Sequence, residues 1–381
     1  MVWFPLQVDD EAVTWSFDIV GLLAVVGGSS IEKHAQYITA SHLAGLPRLL
    51  PAPETMLDTD RPERLPSVKD VTVVGVHSGN QFQELNFFAD VIHRIGELKS
   101  FRFQSYRITY QKKDVEDNGG ILSQGAPPGK AVIPLHTWTS LNLLTLISFL
   151  ITIALFVWAG VQHDAVAFLG LGTMSISTAT ACLSAQWRPI LSVRHAKGVV
   201  PPGDVVIRTR SGAFIAIECS EEIARELYAG TEECSYVYNG RVHQALLATS
   251  TVLLMASIIF FSNCGWKIQI AVGLAYIILN LAYWTLALLT DPQDLWDIKS
   301  RYNVEVLKDE PSANYTLAMW KAIQTTQSVR WIKKGGFAPA TKNWNKWLKE
   351  AKDNCANENW NPEEARDRWM QVKFDTDEKE D

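Results

Sequence analysis

Four long stretches of this 381-residue chain contain no Asp, Glu, Lys, Arg or His: residues 138–160, 165–185, 245–261 and 268–289. Ionisable groups inside a membrane mark proton relays, ion paths and substrate sites, so their absence from these stretches argues against a proton-coupled transporter or pump. Cysteine is sparse. The five (Cys182, Cys219, Cys234, Cys264 and Cys355) form no C-x-x-C and no regular spacing. An odd, scattered set argues against a secreted disulfide framework. The N-terminus lacks a basic segment followed by an apolar one, so no cleaved signal peptide is expected. The last residues match no retrieval or lipidation motif. H-E-x-x-H and G-x-S-x-G are missing. Gly125–Lys130 has the flavour of a phosphate loop. However, Gln124 replaces its first glycine, Ala131 replaces the metal-binding hydroxyl, and two prolines remove backbone donors. The sequence therefore nominates no catalytic, cofactor-binding or metal-binding residue.

The four bare stretches are themselves the main signal. A mean hydropathy of +0.00 conceals them, because it averages apolar runs with polar flanks. Residues 138–160 are long enough to cross a hydrocarbon core of roughly 30 Å as a helix. Helix is the conformation that satisfies every backbone group within one segment. Trp138 and Trp158 lie near its ends, where indole rings settle at headgroup level. Only residues 161–164 separate the first two stretches, and only 262–267 the last two, so each pair reads as an antiparallel hairpin. The second stretch is rich in small residues, among them Gly170, Gly172, Ser175 and Ser177. These predict close packing of the two hairpins, with Gly170 and Gly172 intolerant of bulk. Asn142, Gln269 and Asn280 read as interhelical hydrogen-bonding residues. His163-Asp164 in the first turn reads as a polar turn, with metal binding or proton relay as the sharper alternative.

The rest divides into a mixed region (1–137), a central module (186–244) and a tail (290–381), around the hairpins at 138–185 and 245–289. The apolar run 17–28 is too short to span and reads as a core or interfacial segment. Residues 46–66 hold five prolines and read as a linker. Residues 71–76 and 101–110 read as strands, with an amphipathic helix over 85–98 between them. Residues 204–210 and 213–218 flank Ser211-Gly212 as a β-hairpin, and 220–230 reads as a short helix capped by Ser220. Seven of the chain's 14 Trp lie in the tail, which marks it as folded. Within it, Thr341–Cys355 places Trp344, Trp347, Leu348 and Ala351 on one helical face opposite lysines. That face predicts either a membrane-surface helix or a helix packed on the tail's own core.

Thirteen Lys and Arg flank the spans on the side of the termini and central module, against Lys267 alone in the two turns. Both termini and all folded soluble parts are therefore expected in the cytosol, where Asn314-Tyr-Thr would remain unglycosylated. Residues 204–228, together with Ser328–Lys334, Ala338-Pro339 and 344–351, resemble uncharacterised multi-span membrane proteins of filamentous fungi. That resemblance implies a setting near secondary-metabolite pathways and no chemistry. The fold class expected is an α-helical integral membrane protein of four transmembrane helices in two hairpins, with cytosolic α+β elements. The expected function is a non-enzymatic scaffold or accessory factor that meets the lipid bilayer and other proteins at its cytosolic face, and no nucleic acid. The alternatives are a membrane-bound enzyme with a cytosolic site, or a small-solute exporter or channel.

Overall fold

The computed structural model describes residues 29–58, 60–111, 130–193, 198–357 and 359–372. The 17–28 run, and 125–131 up to Gly129, fall outside these residues. The chain forms two compact units: Met1–Glu63, Pro134–Arg188 and Cys234–Asp297 in the first, and Arg64–Ile133, Pro189–Glu233 and Ile298–Asp381 in the second.

Unit 1 is helical. It contains α1 (Ser29–Ala40), α2 (Ser140–Val161), α3 (Ala165–Ser184), α4 (Gly240–Ser262) and α5 (Trp266–Leu289). The last four are long and apolar enough to cross a membrane. Each of α2 and α3 begins on a side-chain cap, as their first N–H groups require. Thr139 accepts from Asn142 N at the start of α2, and Asp164 accepts from Ala167 N at the start of α3.

The α3–α4 contact depends on small side chains. A Cβ on Gly170 would lie 3.1 Å from the Phe261 ring and 3.3 Å from Phe260 Cβ. Ser177 and Ser250 each donate to the other's carbonyl at 2.8 Å. Bonds of this kind hold helices together where lipid offers no polar partner. Gly172 behaves differently from expectation. A Cβ there meets nothing closer than Phe156 at 4.0 Å, because it points away from the α3–α4 seam.

Unit 2 is built on a six-stranded sheet. Its strands are β1 (Val71–Gly75), β2 (Gln81–Phe82), β3 (Arg102–Tyr110), β4 (Val205–Thr209), β5 (Phe214–Glu218) and β6 (Tyr302–Pro311). The order is β2-β1-β4-β5-β3-β6, with β3 and β5 parallel and the other pairings antiparallel. The expected β4–β5 hairpin forms, with Gly212 at φ +80 in its turn. A Cβ on Gly212 would also lie 2.8 Å from the Phe101 ring. The helix expected over 85–98 is shorter, Phe87–His93. Arg94 turns left-handed at φ 47, and Asp90 Oδ1 accepts from Ile95 N, which ends the helical ladder. The free edge β6 carries Glu305, Lys308, Asp309, Glu310 and Pro311, and the β3–β6 ladder shifts register at Ser105/Tyr106. Charge, proline and a bulge keep an open edge from recruiting further strands.

The tail packs onto one face of this sheet through α6 (Tyr315–Thr326), α7 (Arg330–Gly335), α8 (Lys342–Asp353) and α9 (Pro362–Gln371). Phe103, Phe214 and Val206 of the sheet share a core with Trp320, Trp331, Trp347, Leu348 and Ala351. Trp347 and Ala351 are fully buried there, and Trp347 Nε1 donates to Pro362 O at 2.9 Å. Of the two readings of 341–355, the structure shows packing on the tail's own core.

The two glycines of α3 therefore separate by prediction. Gly170→Leu should destabilise the helical unit by about 1–3 kcal/mol through overpacking, read as a lower melting midpoint and a smaller monodisperse fraction in detergent. Gly172→Leu should leave both unchanged. Equal behaviour of the two variants would contradict the packing described.

Candidate functional site

Residues 46–66 are not the linker their prolines suggest. Arg48, Leu49, Leu50, Ala52 and Met56 are buried in unit 1. The backbone of this segment is satisfied from α2, where Ser148 Oγ donates to Leu49 O and Thr152 Oγ1 accepts from Leu49 N at 2.9 Å. Ser41 Oγ donates to Asn142 Oδ1 at 2.6 Å, at the start of α2. Arg61 then bonds Tyr238 O and Asn239 Oδ1, at the start of α4. The segment thus leaves the N-terminal end of α2, runs inward about 12–18 Å along that helix at about 1.5 Å per residue, and returns to the N-terminal end of α4. Prolines are tolerated in it because neighbouring hydroxyls, rather than a helical ladder, satisfy its backbone groups.

This insertion brings an ionisable residue among helices that have none in their apolar stretches. Arg48 is fully buried. Its Nη1 donates to Leu43 O, Ala44 O and Leu46 O at 3.1–3.4 Å. Its Nε and Nη2 have no acceptor, and both ring nitrogens of buried His34 and the Tyr283 hydroxyl also lack a partner. Tyr283 interacts electrostatically with Arg48, and its ring centroid is 6.4 Å from that of His34. Cys182 also lies within electrostatic reach of Arg48. Arginine does not shed its proton in proteins, and a buried charge without a counter-charge is strongly unfavourable. Orphaned buried donors of this kind are rare and call for an explanation.

The residues singled out from sequence have structural partners. Asp164 joins the two turns, accepting from Ala167 N at 2.9 Å and from Gly265 N at 2.7 Å. His163 Nδ1 lies 3.0 Å from Val161 O. Gln269 donates to Phe261 O and Cys264 O. Asn314 caps α6 by accepting from Leu317 N. None of the five cysteines is joined in a disulfide. Among the described residues no group of three His, Cys, Asp or Glu is placed to hold a metal. Arg48 and His34 escaped the sequence reading because neither lies in an apolar stretch. The available signal was the Leu-Pro and Leu-Leu-Pro context that brackets Arg48.

Unit 2 has its own buried polar centre. The helix expected over 220–230 is one α-turn, Glu221–Ile223, that continues as a π-helix over Ala224–Ala229. The wider turn projects Glu226 inward. Arg301 grips its carboxylate at 2.6 and 2.9 Å, and the hydroxyls of Tyr302 and Tyr110 donate to it at 2.5 and 2.8 Å. This buried charge is paired and fully hydrogen-bonded, which is the condition for tolerating it. On the other side of the π-helix a cleft of about 430 Å³ opens, lined by Asn80, Phe82, Ser192, Arg225, Gly230 and Thr231. Arg225 is held there by Glu221 at 2.6 Å. π-Turns recur at functional sites, and this cleft is within the size range of ligand pockets.

Two buried groups of unit 2 titrate with opposite sign. His93 contacts the Tyr228 hydroxyl at 2.7 Å, and burial pulls it down from 6.5 to about 3. It stays neutral in the fold while the unfolded chain takes a proton, so its contribution is lost as pH falls below 6.5. Glu232 accepts from Phe87 N and Phe88 N, and burial pushes it up from 4.5 to about 7. It holds a proton that the unfolded chain releases, so its contribution is lost as pH rises from 4.5 through 7. The two slopes oppose each other between about pH 4.5 and 6.5. Glu232→Gln should expose the histidine limb, with stability falling as pH drops through that range by up to about 1.4 kcal/mol per pH unit. Chemical denaturation at several pH values checks this, and a variant as pH-insensitive as the parent would contradict it.

No family model, curated protein or solved structure matches this chain.

Proposed function

We propose that this chain is an integral membrane protein that crosses the bilayer four times as two hairpins, with both termini and the α/β unit in the cytosol. It acts there as a non-enzymatic scaffold or accessory factor for other proteins. One observation carries the topology. The sheet of unit 2 takes β1–β3 from before the first apolar pair, β4 and β5 from between the pairs, and β6 from after the second. Strands of one sheet must share one side of a membrane, and two crossings between each set satisfy that. The excess of Lys and Arg on those segments supports the cytosol as the side. The π-helix cleft and the helical tail supply the surface for partners. A second reading, a protein that handles a small solute, is favoured by the buried Arg48 and His34.

The test is protease protection in sealed microsomes. A tag after Asp381 should be digested, and a tag in the Val161–Asp164 turn should be protected until detergent is added. The reverse pattern would invert the topology. Gentle detergent extraction should also retain a stoichiometric protein partner. Recovery of a tightly bound small molecule without such a partner would favour the second reading over the scaffold.

A further inference from the structure

The orphaned donors of unit 1 have a common geometry. A guanidinium offers a side-on edge of two parallel N–H bonds, from Nε and one Nη, which matches two oxygens of a phosphate or carboxylate. In Arg48 the backbone carbonyls of residues 43–46 occupy Nη1 and leave Nε and Nη2 without an acceptor. The Tyr283 hydroxyl, which makes no hydrogen bond of good geometry, faces this guanidinium and Thr145. His34, with both ring nitrogens unpartnered, lies against Tyr283. All three side chains are at least 98 % buried. The nearby Cys182 thiol is a weak acceptor and no substitute for a counter-charge.

Most other buried polar groups in this unit are paired, the Tyr276 hydroxyl excepted. Ser148, Thr152, Ser41, Asn142 and Asp164 all have partners. The missing partner is one that accepts several hydrogen bonds and carries negative charge.

We propose that Arg48, with Tyr283 and His34, binds a phosphate-type oxyanion inside the helical unit. Arg48 supplies the paired N–H donors and the charge, Tyr283 an O–H donor, and His34 a further donor from the ring nitrogen that carries hydrogen. The anion neutralises Arg48 and accepts from the parallel Nε–H and Nη2–H bonds, two of its three free N–H bonds. Its source is either free inorganic phosphate or the phosphate of an anionic lipid that enters between the helices. The inference rests on unit 1 alone and does not depend on the scaffold reading of unit 2.

The experiment is thermal unfolding of the full chain in uncharged detergent, with inorganic phosphate, with phosphatidylglycerol and with phosphatidylcholine. The midpoint should rise by about 3 °C or more with phosphate, or with phosphatidylglycerol but not phosphatidylcholine. The first outcome identifies the free ion and the second the lipid. Arg48→Lys keeps the charge but loses the paired edge, and should abolish the rise. Tyr283→Phe removes a single hydroxyl and should at least halve it. Tyr283→Phe decides the matter if Arg48→Lys does not fold. No rise in the parent with either phosphate source, or a full rise in Tyr283→Phe, would overturn the proposal.

Discussion

Strands can join one sheet only from the same side of a membrane, and the proposed topology follows from that constraint. The pairings β1–β4, β5–β3 and β3–β6 join chain segments separated by the two pairs of apolar helices. In the proposed topology each pair therefore leaves and returns to the same side. This sets the demand on the turns at 161–164 and 262–267, which reverse the chain in a few residues. Asp164, in the first turn, meets that demand by accepting from Ala167 N at the start of α3 and from Gly265 N in the second turn with a single carboxylate.

Unit 1 and unit 2 handle buried charge in different ways. In unit 2, Glu226 is buried together with Arg301 and two tyrosine hydroxyls, so its acceptors are filled within the fold. In unit 1, Arg48 is buried with three of its five N–H donors unfilled. The first arrangement is self-sufficient, and it fixes the π-helix that borders the cleft. The second is incomplete, and the incompleteness lies on the edge of the guanidinium suited to anions. The bare apolar stretches argued against charge inside the helical unit. The inserted segment reverses that argument, since it delivers charge from outside the spans.

Much of this was legible in the sequence where the cause is local. The four apolar helices follow from uninterrupted hydropathy, and the β4–β5 hairpin from alternation around Ser211-Gly212. The Trp face of α8 was legible as a face, but its partner was not, because Trp331 and Trp320 reach it through the tertiary fold. The insertion of 46–57 was illegible for the same reason. Its burial depends on Ser148 and Thr152, about a hundred residues away in sequence, while its own prolines give the signal of an exposed loop. Gly170 and Gly172 look alike in sequence, and only the direction each faces separates them. The π-turn at Ala224–Ala229 looks like an ordinary helix in the sequence, because one extra residue in a turn leaves no mark in apolar spacing.

Segments before and after the first apolar pair share a sheet, and one cross-link tests this pairing. Thr72 of β1 and Arg208 of β4 are paired residues in the register. Thr72→Cys and Arg208→Cys are introduced together, with a protease site placed in the Val161–Asp164 turn. After oxidation in native membranes, detergent extraction and cleavage, the two fragments should remain joined until a reductant is added. Fragments that separate without reductant, in a sample whose oxidation is complete, would contradict the shared sheet and the topology built on it.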